Sequence, residues 1–260
     1  MKKKKEIQEP QQDLEVQVPK IPKIIAETDD YLVIDKPAGI LAHAVNEKME
    51  TGGQQSIVSW LLEHYPEVRS VGEDPLRPGV VHRLDKDVSG LMVVAKNNTA
   101  FENLKEQFQK RRTIKEYVGL VFGKVAPDDG DINFPIKRST AGFKMAAVPA
   151  NFIPKDNETV RQALTSFVVE RRFHNYTLLK LVIKTGRTHQ IRVHLQALGY
   201  PLVGDELYST KNTRVKNKKL GLGRVFLISK RLEFDDLNGI RQKFEIDLPT
   251  ELIELLSKIK

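Results

Sequence analysis

The sequence contains no cysteine among its 260 residues. This absence excludes disulfide bonds, thiol nucleophiles and zinc sites with cysteine ligands. The chain also lacks any apolar stretch that approaches the roughly 18–20 residues of a membrane-spanning helix. The longest candidates, such as residues 178–183, have the length of a strand, and Lys180 interrupts this one. We therefore expect no membrane association.

The N-terminal residues do not predict a secretion signal. Lysines occupy positions 2–5, but no apolar stretch follows them. We therefore expect a cytoplasmic protein. Residues 1–21 mix charged residues, glutamine and proline without periodicity, which predicts a flexible charged tail. Residues 22–260 are predicted to form a single folded domain, a length that allows a sizeable core.

Positive charge is in excess, and it lies in the body of the chain. The net charge is +8, yet the four lysines of residues 1–19 are cancelled by four acidic residues. Residues 209–231 hold eight basic residues and no acidic one, and residues 96–115 are also basic. Such a local excess of positive charge indicates a polyanionic partner. A nucleic acid is favoured over a membrane surface. The alternative is a basic surface that serves solubility alone.

Strand and helix patterns follow one another irregularly along the chain. Apolar spacing predicts helices over residues 55–65, 98–111 and 188–198 and from residue 250. It predicts strands over residues 23–28, 31–35, 91–95, 117–122, 163–170, 176–184, 225–234 and 241–247. Thr185 or Thr188 would cap the third helix. Because strict βαβ alternation is missing, we expect an α+β fold with a mixed sheet.

Three segments concentrate ionisable side chains next to predicted apolar strands or helices. They are residues 81–91, 115–117 and 185–195. Polar groups that enter a buried element cost free energy unless they pair or take part in chemistry. On a helix, His189, Arg192 and Gln196 would share one face, and Arg192 would need an anionic partner. The alternative for residues 81–91 is a solvated turn with internal salt bridges.

Histidine spacing does not favour a metal site. The chain has six histidines, of which His189 and His194 lie five positions apart in one predicted helix. At 3.6 residues per turn this spacing turns them about 140° away from each other, so they cannot readily share a metal. The fragment Gly221-x-Gly223 has no nucleotide-binding fingerprint after it. We expect no metal and no cofactor.

These segments resemble the RluA-type family of pseudouridine synthases, which isomerise uridine within RNA. Residues 81–91, His-Arg-Leu-Asp followed by Ser-Gly-Leu, resemble the family's signature. Four further segments match family motifs in the family's order, so the resemblance covers roughly residues 22–250. These segments are residues 32–41, 115–117, 185–195 and 199–205. Val88, Ser209 and the pair Ile228-Ser229 depart from the residues usual in the family.

The resemblance implies the roles of three site residues. Asp85 is the catalytic carboxylate, Tyr117 packs against the target base, and Arg192 pairs with Asp85. An arginine about 4 Å away contributes on the order of 4 kcal/mol at an effective dielectric constant near 20, which holds the carboxylate ionised. Asp85 acts either as a nucleophile or as the base that takes a proton from the sugar, and the sequence does not choose. The isomerisation requires neither a cofactor nor a metal.

The resemblance also implies an α+β fold whose mixed, largely antiparallel sheet carries flanking helices and a central basic RNA-binding cleft. Residues 22–260 would be the catalytic domain of a monomer that acts on ribosomal or transfer RNA. Arg83 would help to fill the space that a flipped-out uridine leaves, or would form a structural ion pair with Asp87. The residues expected to bind RNA are His82, Arg83, Arg187 and His189 within the family motifs, and Lys216, Lys218 and Lys219 because they lie in the basic stretch 209–231.

Two other functions are compatible with parts of the sequence. A non-catalytic RNA-binding or RNA-folding protein would use the same basic surface, but such a relative should have lost at least one of Asp85, Tyr117 and Arg192. A glycosidase would use Asp85 and Asp87 as its carboxylate pair. The basic surface fits RNA better than a neutral sugar. Product analysis separates the three functions, because they give rearranged uridine, unchanged RNA or free base.

Overall fold

The computed structural model of the protein describes residues 21–43, 55–140, 142, 144–155 and 157–260. The predicted tail therefore lies outside the described residues, apart from Ile21. Helices α1 to α5 span Ile57–His64, Asn98–Gln109, Gln190–Ala197, Lys211–Leu220 and Thr250–Lys258, and a 3-10 helix spans Pro66–Ser70. Strands β1 to β6 span Lys23–Glu27, Tyr31–Lys36, Ser89–Ala95, Ile114–Phe122, Asp129–Ile132 and Ile136–Arg138. Strands β7 to β12 span Met145–Ala147, Val160–Arg161, Thr165–Arg172, Tyr176–Ile183, Leu227–Asp235 and Arg241–Glu245.

The described strands form a nine-stranded sheet in the order β1-β2-β3-β11-β4-β10-β9-β5, with β12 paired to β11. Strands β3 and β11 pair in parallel, whereas the other pairs of described strands are antiparallel. A smaller sheet has the order β7-β6-β8. The predicted α+β fold with a mixed, largely antiparallel sheet and flanking helices is confirmed.

Strand β3 lies in the interior of the sheet, and it is apolar enough to be buried on both faces. Its seven residues are all buried between β2 and β11. Residues of one face belong to a core cluster with residues of α1 and α3, and residues of the other face belong to a cluster with residues of α2. The polar segment 81–88 leads directly into this strand. The fold therefore carries that segment to the end of an interior strand.

Helix α3 begins two residues later than the sequence predicts, and neither expected threonine caps it. The residue before the helix is His189, whose φ of 55° lies in the left-handed region. The side-chain oxygen of Gln190 accepts the Thr185 hydroxyl at 2.7 Å and the Arg187 amide at 3.1 Å. This glutamine fixes the turn that a threonine cap was expected to fix. His189 consequently does not belong to the helical face of Arg192.

Helix α4 is missing from the sequence prediction because it has almost no apolar periodicity. Thr213 and Asn217 are its buried residues, and both are polar. The helix is instead marked by its ends. Thr210 and Thr213 form a reciprocal capping box, and Gly221 ends the helix with a φ of 62°.

The start of β3 depends on a glycine. Gly90 has a φ of 115°, and a Cβ there would lie 2.3 Å from the carbonyl oxygen of Ser229 on β11. We expect Gly90→Ala to lower the free energy of unfolding by about 3 kcal/mol or more, because backbone strain adds to a clash within the sheet.

Urea unfolding measures this loss, and Gly239→Ala is the matched control. Gly239 has a φ of 76°, but a Cβ there would meet no atom within 4 Å. The control should lose only about 1–2 kcal/mol from the left-handed backbone. Equal losses in the two variants would show that the contact with Ser229 does not matter.

Candidate active site

Asp85 lies in the loop that precedes β3, and backbone contacts hold that loop in place. The carbonyl oxygen of Lys86 accepts the Gly39 amide at 2.7 Å and the buried Lys36 ammonium at 3.2 Å. Leu84 and Val88 are buried on either side. The side chain of Asp85 remains 16% exposed. The loop is thus fixed by its backbone and apolar side chains, while the carboxylate is accessible.

Arg192 joins two carboxylates inside the protein. Its side chain is 3% exposed, and it binds Asp205 through two hydrogen bonds, Nε to Oδ2 at 2.8 Å and Nη2 to Oδ1 at 2.9 Å. Its Nη1 lies 3.4 Å from Oδ2 of Asp85. Although burial opposes the charge, Asp205 and Asp85 raise the pKa of Arg192 above its ordinary value. Arg192 is therefore a permanent cation beside Asp85.

The sequence motifs suggest no role for Asp205, although it is the last residue of the matching segment 199–205. It is 1% exposed, and besides Arg192 its Oδ1 accepts the amides of Leu207 at 3.0 Å and Tyr208 at 2.9 Å. Its backbone oxygen accepts the Asn217 side chain of α4 at 3.3 Å. A buried acidic residue needs a partner, but the sequence does not show that this partner is Arg192.

Tyr117 lies in the middle of β4, opposite Ser229 on β11 and Leu181 on β10. Its side chain is buried. Burial and the negative charge of Asp85 raise the pKa of the Tyr117 hydroxyl, although a hydrogen bond with Ser229 lowers it in part. The phenol therefore stays neutral around pH 7. The structure places it with Asp85 and Arg192 around one pocket.

His189 was expected to bind RNA, and the structure places it beside Asp85. Its Nε2 lies 3.9 Å from Oδ1 of Asp85, and its Nδ1 lies 2.8 Å from the Tyr208 hydroxyl. That hydroxyl also accepts the amide of Met145 at 2.9 Å. Burial lowers the pKa of His189, so the ring is neutral around pH 7.

These side chains surround a pocket of about 90 Å³. The pocket shares Arg83, Tyr117 and Arg187 with an adjoining cleft of about 660 Å³. Basic side chains dominate the charged lining of that cleft, and Glu73 and Asp74 are its acidic members. The basic residues are Arg77, Arg83, Lys105, Arg111, Lys115, Lys184 and Arg187. The pocket therefore opens into a positively charged groove.

His82 and Arg83 both line the cleft. Nη1 of exposed Arg83 lies 2.9 Å from Nε2 of His43. Within the described part of the chain it forms no ion pair with Asp87, whose Oδ2 lies 4.0 Å from Nη2 of Arg192. His82 accepts the Val93 amide through Nε2 at 3.0 Å, and burial lowers its pKa to about 3. It is thus a neutral ring held by the sheet.

The other four residues predicted to contact RNA lie in two parts of the molecule, the cleft and helix α4. Arg187 is half-buried at the cleft, where its Nε donates to the Gln162 carbonyl at 3.2 Å. Lys216, Lys218 and Lys219 are exposed on α4, outside the residues that line the cleft. The buried side of α4 holds Asn217, which accepts the Gly204 amide at 2.8 Å. The structure therefore brings four of the seven residues to the cleft or pocket.

The described residues form neither a cluster of metal ligands nor a membrane-spanning helix. Within the described ranges, no three histidine, aspartate or glutamate side chains come together as potential metal ligands. Among the same residues, no helix combines the length and apolar character needed to cross a bilayer.

Known proteins are similar to this chain in sequence and in fold. The family model for RNA pseudouridylate synthase matches residues 30–197. An uncharacterized RNA pseudouridine synthase of Aquifex aeolicus is 42% identical over 242 residues, which cover 91% of this chain and 72% of that protein. Ribosomal large subunit pseudouridine synthase D of Pseudomonas aeruginosa is 36% identical over 260 residues, covering 96% and 73%.

A solved structure of an RNA pseudouridylate synthase domain is similar to this chain in its fold. Human RNA pseudouridylate synthase domain containing 4 is 25% identical, with a TM-score of 0.68, and the match covers 92% of this chain and 94% of that one. The family model alone covers more than half of the chain, and the resemblance inferred from the motifs is confirmed. The chain belongs to the RluA-type family of RNA pseudouridine synthases.

Proposed function

We propose that Asp85 is the catalytic carboxylate of this enzyme and that its target uridines lie in ribosomal RNA. One observation supports this most strongly. Asp85 is an accessible carboxylate beside the buried cation Arg192, in a pocket walled by Tyr117 that opens into a basic cleft. Ribosomal RNA is the substrate in the names of several relatives, including that of Pseudomonas aeruginosa. Transfer RNA is the alternative target.

The reaction moves one bond of the nucleoside. The bond from N1 of uracil to C1′ of ribose breaks, the base turns, and a bond from C5 to C1′ forms. C5 then loses its proton and N1 gains one, so no atom or electron is added. Asp85 either attacks C1′ as a nucleophile or removes a proton from the sugar, and both roles require the carboxylate to be ionised. Arg192 supplies the counter-charge for that form.

The two oxygens of Asp85 have different surroundings. Oδ2 is 3.4 Å from Nη1 of Arg192, whereas Oδ1 faces Nε2 of His189 at 3.9 Å, beyond a hydrogen bond. We infer that Oδ1 is the reacting atom, because it keeps its lone pairs free. Tyr117 packs against the uracil ring as a neutral phenol. Its raised pKa argues against a tyrosinate base for the C5 proton.

A paired target base must leave its stack to enter the pocket, at a cost of a few kcal/mol. Arg83 and Arg187 border both the pocket and the cleft, so they are positioned to contact the flipped nucleotide and its neighbours. We propose that the planar Arg83 guanidinium fills the vacated space, since no carboxylate of a described residue pairs with it. His82 and His189 contact the RNA from the cleft and the pocket.

We infer that the enzyme acts as a monomer without metal or cofactor. The pocket is walled by residues of one chain, and the bond changes need no electron transfer and no hydrolysis. The proposed substrate places the enzyme in the cytoplasm, where ribosomal RNA is found in bacteria such as those of the relatives.

We predict that Asp85→Asn abolishes pseudouridine formation while RNA affinity stays within an order of magnitude. The substitution removes the reacting charge but leaves the basic cleft intact. The measurement incubates unmodified large-subunit ribosomal RNA with the protein, digests the RNA and quantifies its nucleosides.

Asp87→Asn is the control, because Asp87 is a neighbouring carboxylate that is 51% exposed. It should retain activity. Turnover by Asp85→Asn near the wild-type rate would refute the assignment of Asp85. Release of free uracil would indicate a glycosidase, and unchanged RNA with the wild type would indicate a binding protein.

We also predict that the lysines of α4 provide long-range attraction to RNA. Replacing Lys216, Lys218 and Lys219 with alanine should lower the slope of log affinity against log salt concentration by roughly two, if all three neutralise phosphates. Turnover at saturating RNA should change little, because these exposed residues do not line the cleft.

Deletion of residues 2–19 is the control for this prediction. The segment carries four lysines and four acidic residues, so it should add little attraction. A larger loss of RNA affinity from the deletion than from the triple replacement would assign the attraction to the N-terminal segment instead.

A further inference from the structure

Lys115 is a buried cation that has no acidic partner among the residues the structure describes. Only 7% of the residue is exposed. Its Nζ is 3.2 Å from the Thr113 hydroxyl and 5.0 Å from the centre of the Phe108 ring. No carboxylate oxygen of the described residues lies within 4 Å of this amine. In the described part of the chain, the Thr113 hydroxyl accepts one of its three N–H donors, which leaves two for another molecule.

Other buried or half-buried lysines of the protein are compensated differently. At the same cleft, Lys105 pairs with Glu73 and Glu102. Lys36, which is fully buried, donates to the carbonyl oxygens of Pro37, Ile40 and Lys86. Lys115 has neither arrangement. Because a buried charge without compensation is costly, its position is best explained by an anion that binds there.

His82 lies against the same aromatic ring as Lys115. Its ring stacks on Phe108 with centroids 4.5 Å apart. Because Nε2 accepts the Val93 amide and the ring is neutral, the proton is on Nδ1. His82 and Lys115 both line the cleft. His82 and Lys115 thus contact the same ring at the lining of the cleft, and the charge of Lys115 contributes to the lowered pKa of His82.

The surroundings select a negatively charged ligand. The cleft walls also carry Arg83, Arg111 and Arg187, and the last two are close enough for their charges to interact. Lys115 precedes Tyr117 by two positions on β4, so both side chains project from the same face, roughly 7 Å apart. An anion at Lys115 is therefore next to the base that packs on Tyr117.

We propose that Lys115 and His82 bind one phosphate of the RNA backbone beside the target nucleotide. The ammonium group supplies the charge, and Nδ1–H of His82 supplies a second hydrogen bond. This site rests on the proposed function, since it assumes that RNA occupies the cleft. It adds a fixed contact that positions the strand next to the pocket.

The first test measures the affinity of the full-length protein for a twenty-residue uridine oligomer at several salt concentrations. Lys115→Met should weaken binding about tenfold and lower the slope of log affinity against log salt by about 0.7. Lys115→Gln, which keeps a donor for Thr113, should behave in the same way. Thermal unfolding checks that each variant is folded.

Lys105→Met is the matched control. It removes the same charge from the same cleft, but that charge is already neutralised by Glu73 and Glu102. Its slope should stay close to that of the wild type. Equal slopes for the wild type and both Lys115 variants would overturn the proposal.

The second test uses pH. Burial lowers the pKa of Lys115 to about 8, and a bound phosphate would raise it again. Affinity should therefore be nearly full at pH 7 and should fall as the pH rises through 8, by roughly fivefold at pH 9, because the neutral amine should bind about as weakly as methionine. Lys115→Met should lose this dependence, and a dependence equal to that of the wild type would overturn the proposal.

Other groups around Lys115 do not account for such a change. Across the strand pair, β11 presents Leu232, and its neighbour Glu233 is bound to Arg231. The remaining charged or titratable groups that line the cleft with Lys115 are His43, Glu73, Asp74, Arg77, His82, Arg83, Lys105, Arg111, Tyr117, Lys184 and Arg187. Lys115→Met leaves all of these groups in place, so comparison with the wild type isolates the amine.

The binding tests distinguish failure of this site from failure of the proposed function. Pseudouridine formation is measured separately, on large-subunit ribosomal RNA. A wild type that binds the oligomer but forms no pseudouridine refutes the proposed substrate, while the slopes still decide on Lys115. A wild type that does not bind the oligomer refutes both the RNA cleft and the phosphate site.

Discussion

The ion pair between Arg192 and Asp205 is the interaction on which the site depends. Both side chains are almost completely buried, and the pair is bidentate. Two of the guanidinium nitrogens bind Asp205, and the remaining one faces Asp85. One cation therefore serves two carboxylates. Asp85 has this cation as its neighbour through one long contact of 3.4 Å, which leaves its carboxylate accessible from the pocket.

Several parts of the chain maintain this pair. Asp205 is held by the amides of the turn that follows it and by Asn217 of α4. Arg192 is carried by α3, whose start is fixed by the side chain of Gln190. A helix without apolar periodicity thus has a clear structural role, because its one buried amide orients the partner of Arg192. Removing one member of a buried pair typically costs about 3–5 kcal/mol.

The sequence predicts the features that depend on local pattern. The apolar run of β3 predicts this strand, and the spacing of Phe101 and Leu104 predicts α2. The motif around Asp85 predicts the polar loop that precedes β3. The sequence does not predict features that depend on partners distant in the chain. Tertiary contacts fix the left-handed backbone of His189 and the pairing of Arg192 with Asp205. They also bury Lys115 at a place where no described residue gives it an acidic partner.

The rate of pseudouridine formation by a protein without the central ion pair tests this account most directly. Arg192→Leu combined with Asp205→Asn removes the counter-charge of Asp85 without leaving a second unpaired carboxylate. The side-chain oxygen of the introduced asparagine can still accept the amides of Leu207 and Tyr208. The account predicts that the folded variant forms pseudouridine about tenfold more slowly or worse, while its RNA affinity stays within an order of magnitude of the wild-type value. A rate close to that of the wild type would show that the reaction at Asp85 does not depend on Arg192.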